Sequence, residues 1–183
     1  GTQTVFDAVA TVQKQTGRIA LLFDADRPTS PAARRLNALS KGALARAFKG
    51  AALTIADDLP ARAEAALLRA FTDRLGLEMK SGRLLLGSDR IAENARMGKV
   101  AWLAHAADAS EDGSRKLDQA WRVGLDEEGS GRHGLTLPLD RAALSVALGR
   151  DNVVHLALSD AGAATRLEPL AQRLLHFLGT GSA

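Results

Sequence analysis

Apolar residues fall along this chain in two patterns. Some repeat every three or four positions, the period of a helix, and others form short unbroken runs, the mark of a strand covered on both faces. Val5, Val9 and Val12 share a helical face that Thr16-Gly17 stops, and Arg18 to Phe23 then reads as a buried strand closed by Asp24-Ala25-Asp26-Arg27-Pro28. Ser30-Pro31 is a helix start, with Ser as cap and Pro in the first turn. That helix turns Leu36 and Leu39 inward and Arg34 and Arg35 outward, and Gly42 breaks it before Ala43 to Phe48. Asp57-Asp58-Leu59-Pro60 caps the next helix, whose inner face carries Leu67, Leu68, Phe71 and Leu75.

The stretch from Leu85 to Ser110 organises the rest. Leu85-Leu86-Gly87 reads as a Gly turn, and Ser88 or Asp89 stands where a side chain accepts the free N–H groups of the following helix. Ile91, Ala92 and Ala95 form that helix's apolar face, Gly98 ends it, and Val100 to Ala107 is a nearly continuous apolar run. Past the charged turn Ser110 to Lys116, Leu117, Ala120 and Trp121 mark a helix from about Gly113 to Val123. Asp126 to Gly134 is a flexible acidic loop, and Leu135 to Leu139 is a strand that Pro138 confines to an edge or an end. Asp140 caps a helix with Leu144, Ala147 and Leu148 inward, and Gly149 stops it. Asn152 to Leu158 is a second buried strand. A last helix from about Gly162 repeats apolar residues at Ala163, Leu167, Leu170, Leu174 and Phe177, before a frayed end.

From Pro60 onward the elements run helix, helix, strand, helix, strand, helix, strand, helix. Such alternation predicts an α/β fold: a three-layer α/β/α sandwich around a small mixed sheet, spanning residues 57–179. A basic N-terminal region, residues 1–56, precedes it and is small α/β or mostly helical. Val100–Ala107 and Asn152–Leu158 are expected as neighbouring or near-neighbouring central strands, with Trp102 or Leu103 and Val153 or Val154 buried.

Composition changes this picture little. Of 183 residues 46% are hydrophobic, enough for a real core, and the absence of Cys removes disulfides and thiolate ligands and fits a reducing compartment. No basic-then-apolar opening marks a signal peptide, and no apolar run reaches the roughly 18–20 residues that span a bilayer. A soluble, cytoplasmic protein is expected. Charge says more. Net charge is +3, yet residues 1–62 hold 9 basic and 5 acidic side chains while residues 63–183 hold 15 and 16. Arg27, Arg34, Arg35, Lys41, Arg46 and Lys49 follow one another with no acid between them. A one-signed patch of this kind is an electrostatic footprint for nucleic acid, and it equally describes a solvated helix face.

Enzymatic chemistry finds little support. His105 and His155 sit within apolar strands and read as hydrogen-bonded core or edge histidines, His133 lies in the loop, and His176 faces away from its helix's apolar stripe. No zinc-type His pair, nucleophile elbow or phosphate-binding Gly-Lys loop is written in the chain. Asp24 and Asp26 read as a solvated turn, and Asp108 ends a strand without an acid–base partner. No catalysis, cofactor or metal is therefore expected. The helix N-terminus at Gly87 is instead a donor site for an anion, to which Lys99 and Arg115-Lys116 add charge. That suits a phosphate backbone better than bond breaking.

Several short motifs in order give this a family context. Gly87, Asp89-Arg90-Ile91, Gly98-Lys99, Ala106 to Ser110, Asp112-Gly113, Arg115-Lys116-Leu117 and Leu148-Gly149-Arg150-Asp151-Asn152-Val153-Val154-His155 resemble YlxR-type bacterial nucleic-acid-binding proteins. The likeness, from about Leu59 to Leu178, is to their second domain, of the ribosomal-protein superfamily that binds kink-turn RNA. It implies an RNA-binding protein connected with ribosomes or translation. Gly87, Ser88, Asp89 and Arg90 would grip distorted RNA, the loop with Asp108 and Ser110 would complete the surface, and Lys99, Arg115 and Lys116 would assist. Ser88-Asp89 stands where true kink-turn binders carry Asn-Glu. In the N-terminal region Lys41 to Lys49 is similar to the closing helix of the YlxR first domain, whose Cys-containing opening and Gly-Arg-Gly turn this chain lacks. Gly17 to Ala47 also looks weakly like the opening of cytosolic leucyl aminopeptidases. A protein-interaction module or a non-catalytic remnant of an enzyme domain is therefore the alternative.

Overall fold

The computed structural model describes residues 59–179. The chain divides into two compact units, residues 1–66 with 174–183 and residues 67–173. The described residues of the first are the opening turns of one helix and the closing turn of another. The second unit holds the sheet and is described below.

In chain order the elements are α1 (Leu59–Lys80), β1 (Leu84–Leu86), α2 (Ser88–Arg96), β2 (Trp102–His105), α3 (Glu111–Gly124), β3 (Leu135–Thr136), α4 (Arg141–Leu148), β4 (His155–Leu158) and α5 (Ala161–Leu178). The four strands form one mixed sheet in the order β1-β4-β2-β3. β4 is antiparallel to both β1 and β2, and β2 is parallel to β3. The two long apolar runs are thus adjacent, as expected, and Trp102, Leu103 and Val153 are all buried. The strands are shorter than the runs that contain them, because Val100-Ala101, Ala106-Ala107 and Asn152 to Val154 lead into and out of the ladder rather than extend it.

The pleat sorts side chains into two layers. Leu85, Leu103 and Ala157 lie across from one another on one face and pack with Ile91 and Ala95 of α2 and Leu117, Ala120 and Trp121 of α3. Trp102, one step along β2, points to the opposite face and donates its indole N–H to Glu168 of α5. Helices therefore cover both faces, and the α/β class holds. Across the first layer α2 and α3 touch backbone to backbone: a Cβ on Gly124 would lie 1.7 Å from the Ala95 carbonyl oxygen, and one on Gly98 2.7 Å from that of Gly124.

Three expectations need correction. Leu84–Leu86 is a strand rather than part of a Gly turn, paired residue for residue with Leu158 to Leu156. Three residues are too few to show a period, so the pairing partner decides their state. Neither Ser88 nor Asp89 caps α2: Gly87 is the N-cap and no side chain closes it. Ala147 is exposed, because α4 turns only Leu144 and Leu148 inward.

The far end of the sheet carries a buried acid that the sequence pattern hides. Glu78, 2% exposed, faces Arg166 at 3.2 Å, Arg83 at 3.4 Å and Arg74 at 3.7 Å, so three cations from α1, the α1–β1 turn and α5 surround one carboxylate.

Candidate nucleic-acid interface

Because β1, β2 and β3 run the same way, their carboxyl ends meet at one edge of the sheet, and α2, α3 and α4 all start there. Gly87–Arg90, Ala107–Ser110, Leu137–Asp140 and, from the start of β4, Asp151–Val154 line this edge. Backbone hydrogen bonds knit the segments together: Ala106 N–H donates to Val154, Ala107 to Leu139 and Leu137 to His105. Ligands of open α/β sheets bind at such edges, where helix N-termini converge.

The three N-termini are finished differently. At α3, Ser110 Oγ accepts from Gly113 N–H at 3.2 Å. At α4, Asp140 accepts from Ala143 N–H and Asp108 from Arg141 N–H, both at 2.8 Å. At α2 the N–H groups of Ser88, Asp89 and Arg90 find no acceptor among the described residues, and all three residues are exposed. Gly87 makes this opening possible with φ +87°, a conformation L side chains rarely adopt, while a Cβ there would meet nothing within 4 Å.

Gly87, Ser88, Asp89, Arg90, Asp108 and Ser110 therefore come together at one edge, though Asp108 and Ser110 are occupied as helix caps. Arg90 makes no ion pair among the described residues. Arg115 and Lys116 reach the edge only through the first turns of α3, and both are paired with Asp112, at 3.0 Å and 2.6 Å. Those two cations hold the Asp112 carboxyl below its ordinary value. Lys99 does not join the group. It follows α2, so a helix of nine residues, about 13 Å long, separates it from Ser88 and puts it at the opposite end of the sheet. Arg34, Arg35, Lys41, Arg46 and Lys49 lie outside the described residues.

Beneath the edge runs a buried polar chain. Asp118 of α3 accepts from Gly134 N–H at 2.7 Å and stands 3.0 Å from His105 Nε2, while His105 Nδ1 is 2.9 Å from His155 Nδ1. Burial pushes the Asp118 carboxyl up, but the hydrogen bonds from His105 and Gly134 outweigh it, and its pKa is lowered below the ordinary value. An ionised Asp118 only accepts, so His105 donates to it from Nε2, and one hydrogen lies between the two Nδ1 atoms. His155 Nε2 lies under the first turn of α3, where a Cβ on Gly113 would stand 3.3 Å away. Burial first, then the neighbouring His105, push His155 down to about 4, so His155 is neutral near neutrality. Reading His105 and His155 as hydrogen-bonded core histidines is correct; their partner Asp118 was hidden on the polar side of a helical pattern.

Comparison with known proteins adds little. No family model matches the chain, and no curated protein does. Among solved structures, a protein of unknown function from Bacillus halodurans C is similar: 26% identical, TM-score 0.45, with 55% of this chain and 95% of that one covered. No described helix is long and apolar enough to cross a membrane.

Proposed function

We propose that this chain binds structured RNA through the strand-carboxyl edge, without catalysis. The observation that carries the reading is the open N-terminus of α2. Three exposed N–H groups and an unpaired Arg90 stand at an edge where the other two helix starts are closed by their own side chains. Backbone donors with the positive end of a helix dipole accept a phosphate without reading its base. The likeness of Gly87 to Arg90 and of Ala106 to Ser110 to the RNA-gripping turn and loop of YlxR-type proteins supports the same reading. A ribosome- or translation-linked RNA is the partner this likeness favours, in the cytoplasm.

The test is a titration of structured ribosomal RNA at two salt concentrations. Arg90→Ala removes one charge-assisted contact, so affinity falls by about 1.5–3 kcal/mol and the log–log salt slope shrinks by roughly 0.7–0.9. Melting should barely change, since Arg90 is exposed and unpaired. Unaltered affinity and slope in that variant at low salt would remove α2 from the interface.

A further inference from the structure

A cavity of about 460 Å³ opens beside the amino end of β2. There β3 pairs only with Ala104 and His105, leaving the start of β2 without a neighbouring strand on that side. The cavity lies at the end of β2 away from the interface above and is a separate feature. Its size is within the range of small-ligand sites, about 300–1,000 Å³. Both tryptophans of the chain, Trp102 and Trp121, line it with Arg132, Thr165, Glu168 and Gln172.

Its acceptors have no cation of their own. The half-buried Glu168 carboxylate takes hydrogen bonds from the Trp102 indole and the Gln172 amide, both neutral donors, and makes no ion pair among the described residues. Thr165, another lining residue, lies four positions before Pro169 in α5, which has no N–H to give its carbonyl. Facing these, the Arg132 guanidinium lies 5.0 Å from the centre of the Trp121 ring. Arg132 reaches there from the loop after α3, its side chain 42% exposed and paired with Glu127. The cavity thus joins a carboxylate that has no ion pair among the described residues and an indole face that already holds a guanidinium.

We propose that the cavity receives a guanidinium group from outside the chain, for which Arg132 is the resident competitor. The group comes on a small guanidino compound or on an arginine side chain of a partner protein. On binding, Arg132 swings into solvent, the incoming cation takes its place on Trp121, and Glu168 supplies the charge-assisted hydrogen bond.

The chain carries its own reporter, since its two tryptophans both line the cavity and it has no tyrosine. The full chain is titrated with agmatine and with N-acetyl-arginine amide. N-acetyl-glutamine amide and sodium chloride at matched ionic strength are the controls. The guanidino probes should give a saturable change in tryptophan emission and the controls none. Tighter binding of agmatine points to a small compound, and tighter binding of capped arginine to a partner side chain. Glu168→Gln, which can still accept from Trp102, should weaken binding about tenfold or more. Arg132→Ala removes the competitor and should tighten it about threefold. An equal response to the glutamine control, no saturable response, or wild-type affinity in a normally melting Glu168→Gln overturns the proposal. Should Glu168→Gln melt early, Arg132→Ala decides alone, and unchanged or weaker binding there overturns it.

Discussion

Each end of the sheet buries one carboxylate, and the two are compensated in opposite ways. At the amino end of β1, Glu78 sits among three arginines, so a carboxylate meets permanently charged guanidinium groups. At the carboxyl edge, Asp118 faces an amide and an imidazole, and a second imidazole completes the chain. Guanidinium groups keep their charge at any pH a protein survives, whereas imidazoles do not. One end is therefore a carboxylate held by cations that keep their charge, and the other a hydrogen-bonded relay in which His155 takes up a proton in acid. The difference also leaves the carboxyl edge without a buried cation to match the Glu78 cluster, and its open groups are the exposed Arg90 and the free backbone donors of α2.

The sharpest way to break the comparison is at the ion cluster. Glu78→Ala leaves three guanidinium groups facing one another beside a vacated site and should cost roughly 3–5 kcal/mol, read as a fall in the urea midpoint. An unchanged midpoint in Glu78→Ala would mean that the three arginines do not depend on this carboxylate.

The relay should behave otherwise. His155 in the folded chain is pushed down to about 4 from an ordinary 6.5, so the unfolded chain takes up a proton first. Stability is then complete above pH 6.5 and declines as pH falls towards 4, by about 3 kcal/mol in all. Asp118, whose value is lowered, adds a second loss as it is protonated at still lower pH. Denaturant midpoints across pH 4–7 should show the decline in the wild type and a flatter profile in His155→Gln. Parallel profiles would move the titrating group elsewhere.

Smaller effects separate the helix starts. Ser110→Ala removes the α3 cap and should cost about 1 kcal/mol of stability while leaving RNA affinity within twofold. The smallest expected effect is at Lys99, whose distance from the edge means that Lys99→Ala should change neither melting nor RNA binding. A clear loss of affinity in Lys99→Ala would extend the contact surface around to the far end of the sheet.

Much of this architecture is legible in the sequence, for reasons that differ by element. Val100 to Ala107 and Asn152 to Leu158 stand out because both faces of a central strand are covered, so a single histidine in each, His105 and His155, is all that interrupts the run. Gly98, Asp140 and Gly149 mark boundaries because helix ends demand particular backbone angles or acceptors, whereas Ser110 reads as part of a charged turn and is in fact the cap of α3. Leu84–Leu86 has no such signature and exists as a strand only because β4 lies beside it. Glu78 and Asp118 were invisible for a deeper reason. An acid on a helix matches the polar face in any periodic reading, and only the tertiary fold brings Arg166 to the one and His105 to the other. At the edge, the sequence picks out Gly87 to Arg90 correctly as a turn into a helix but assigns the closing role to Ser88 or Asp89. Lys99 was grouped with them because sequence distance says nothing about which end of a strand a residue precedes.

The two histidines hold a single hydrogen between their Nδ1 atoms, out of reach of water. That hydrogen can trade for deuterium only when the edge opens, and its nuclear resonance should lie far downfield of the amides. It is a built-in clock for breathing at this end of the sheet, and one that runs without a label.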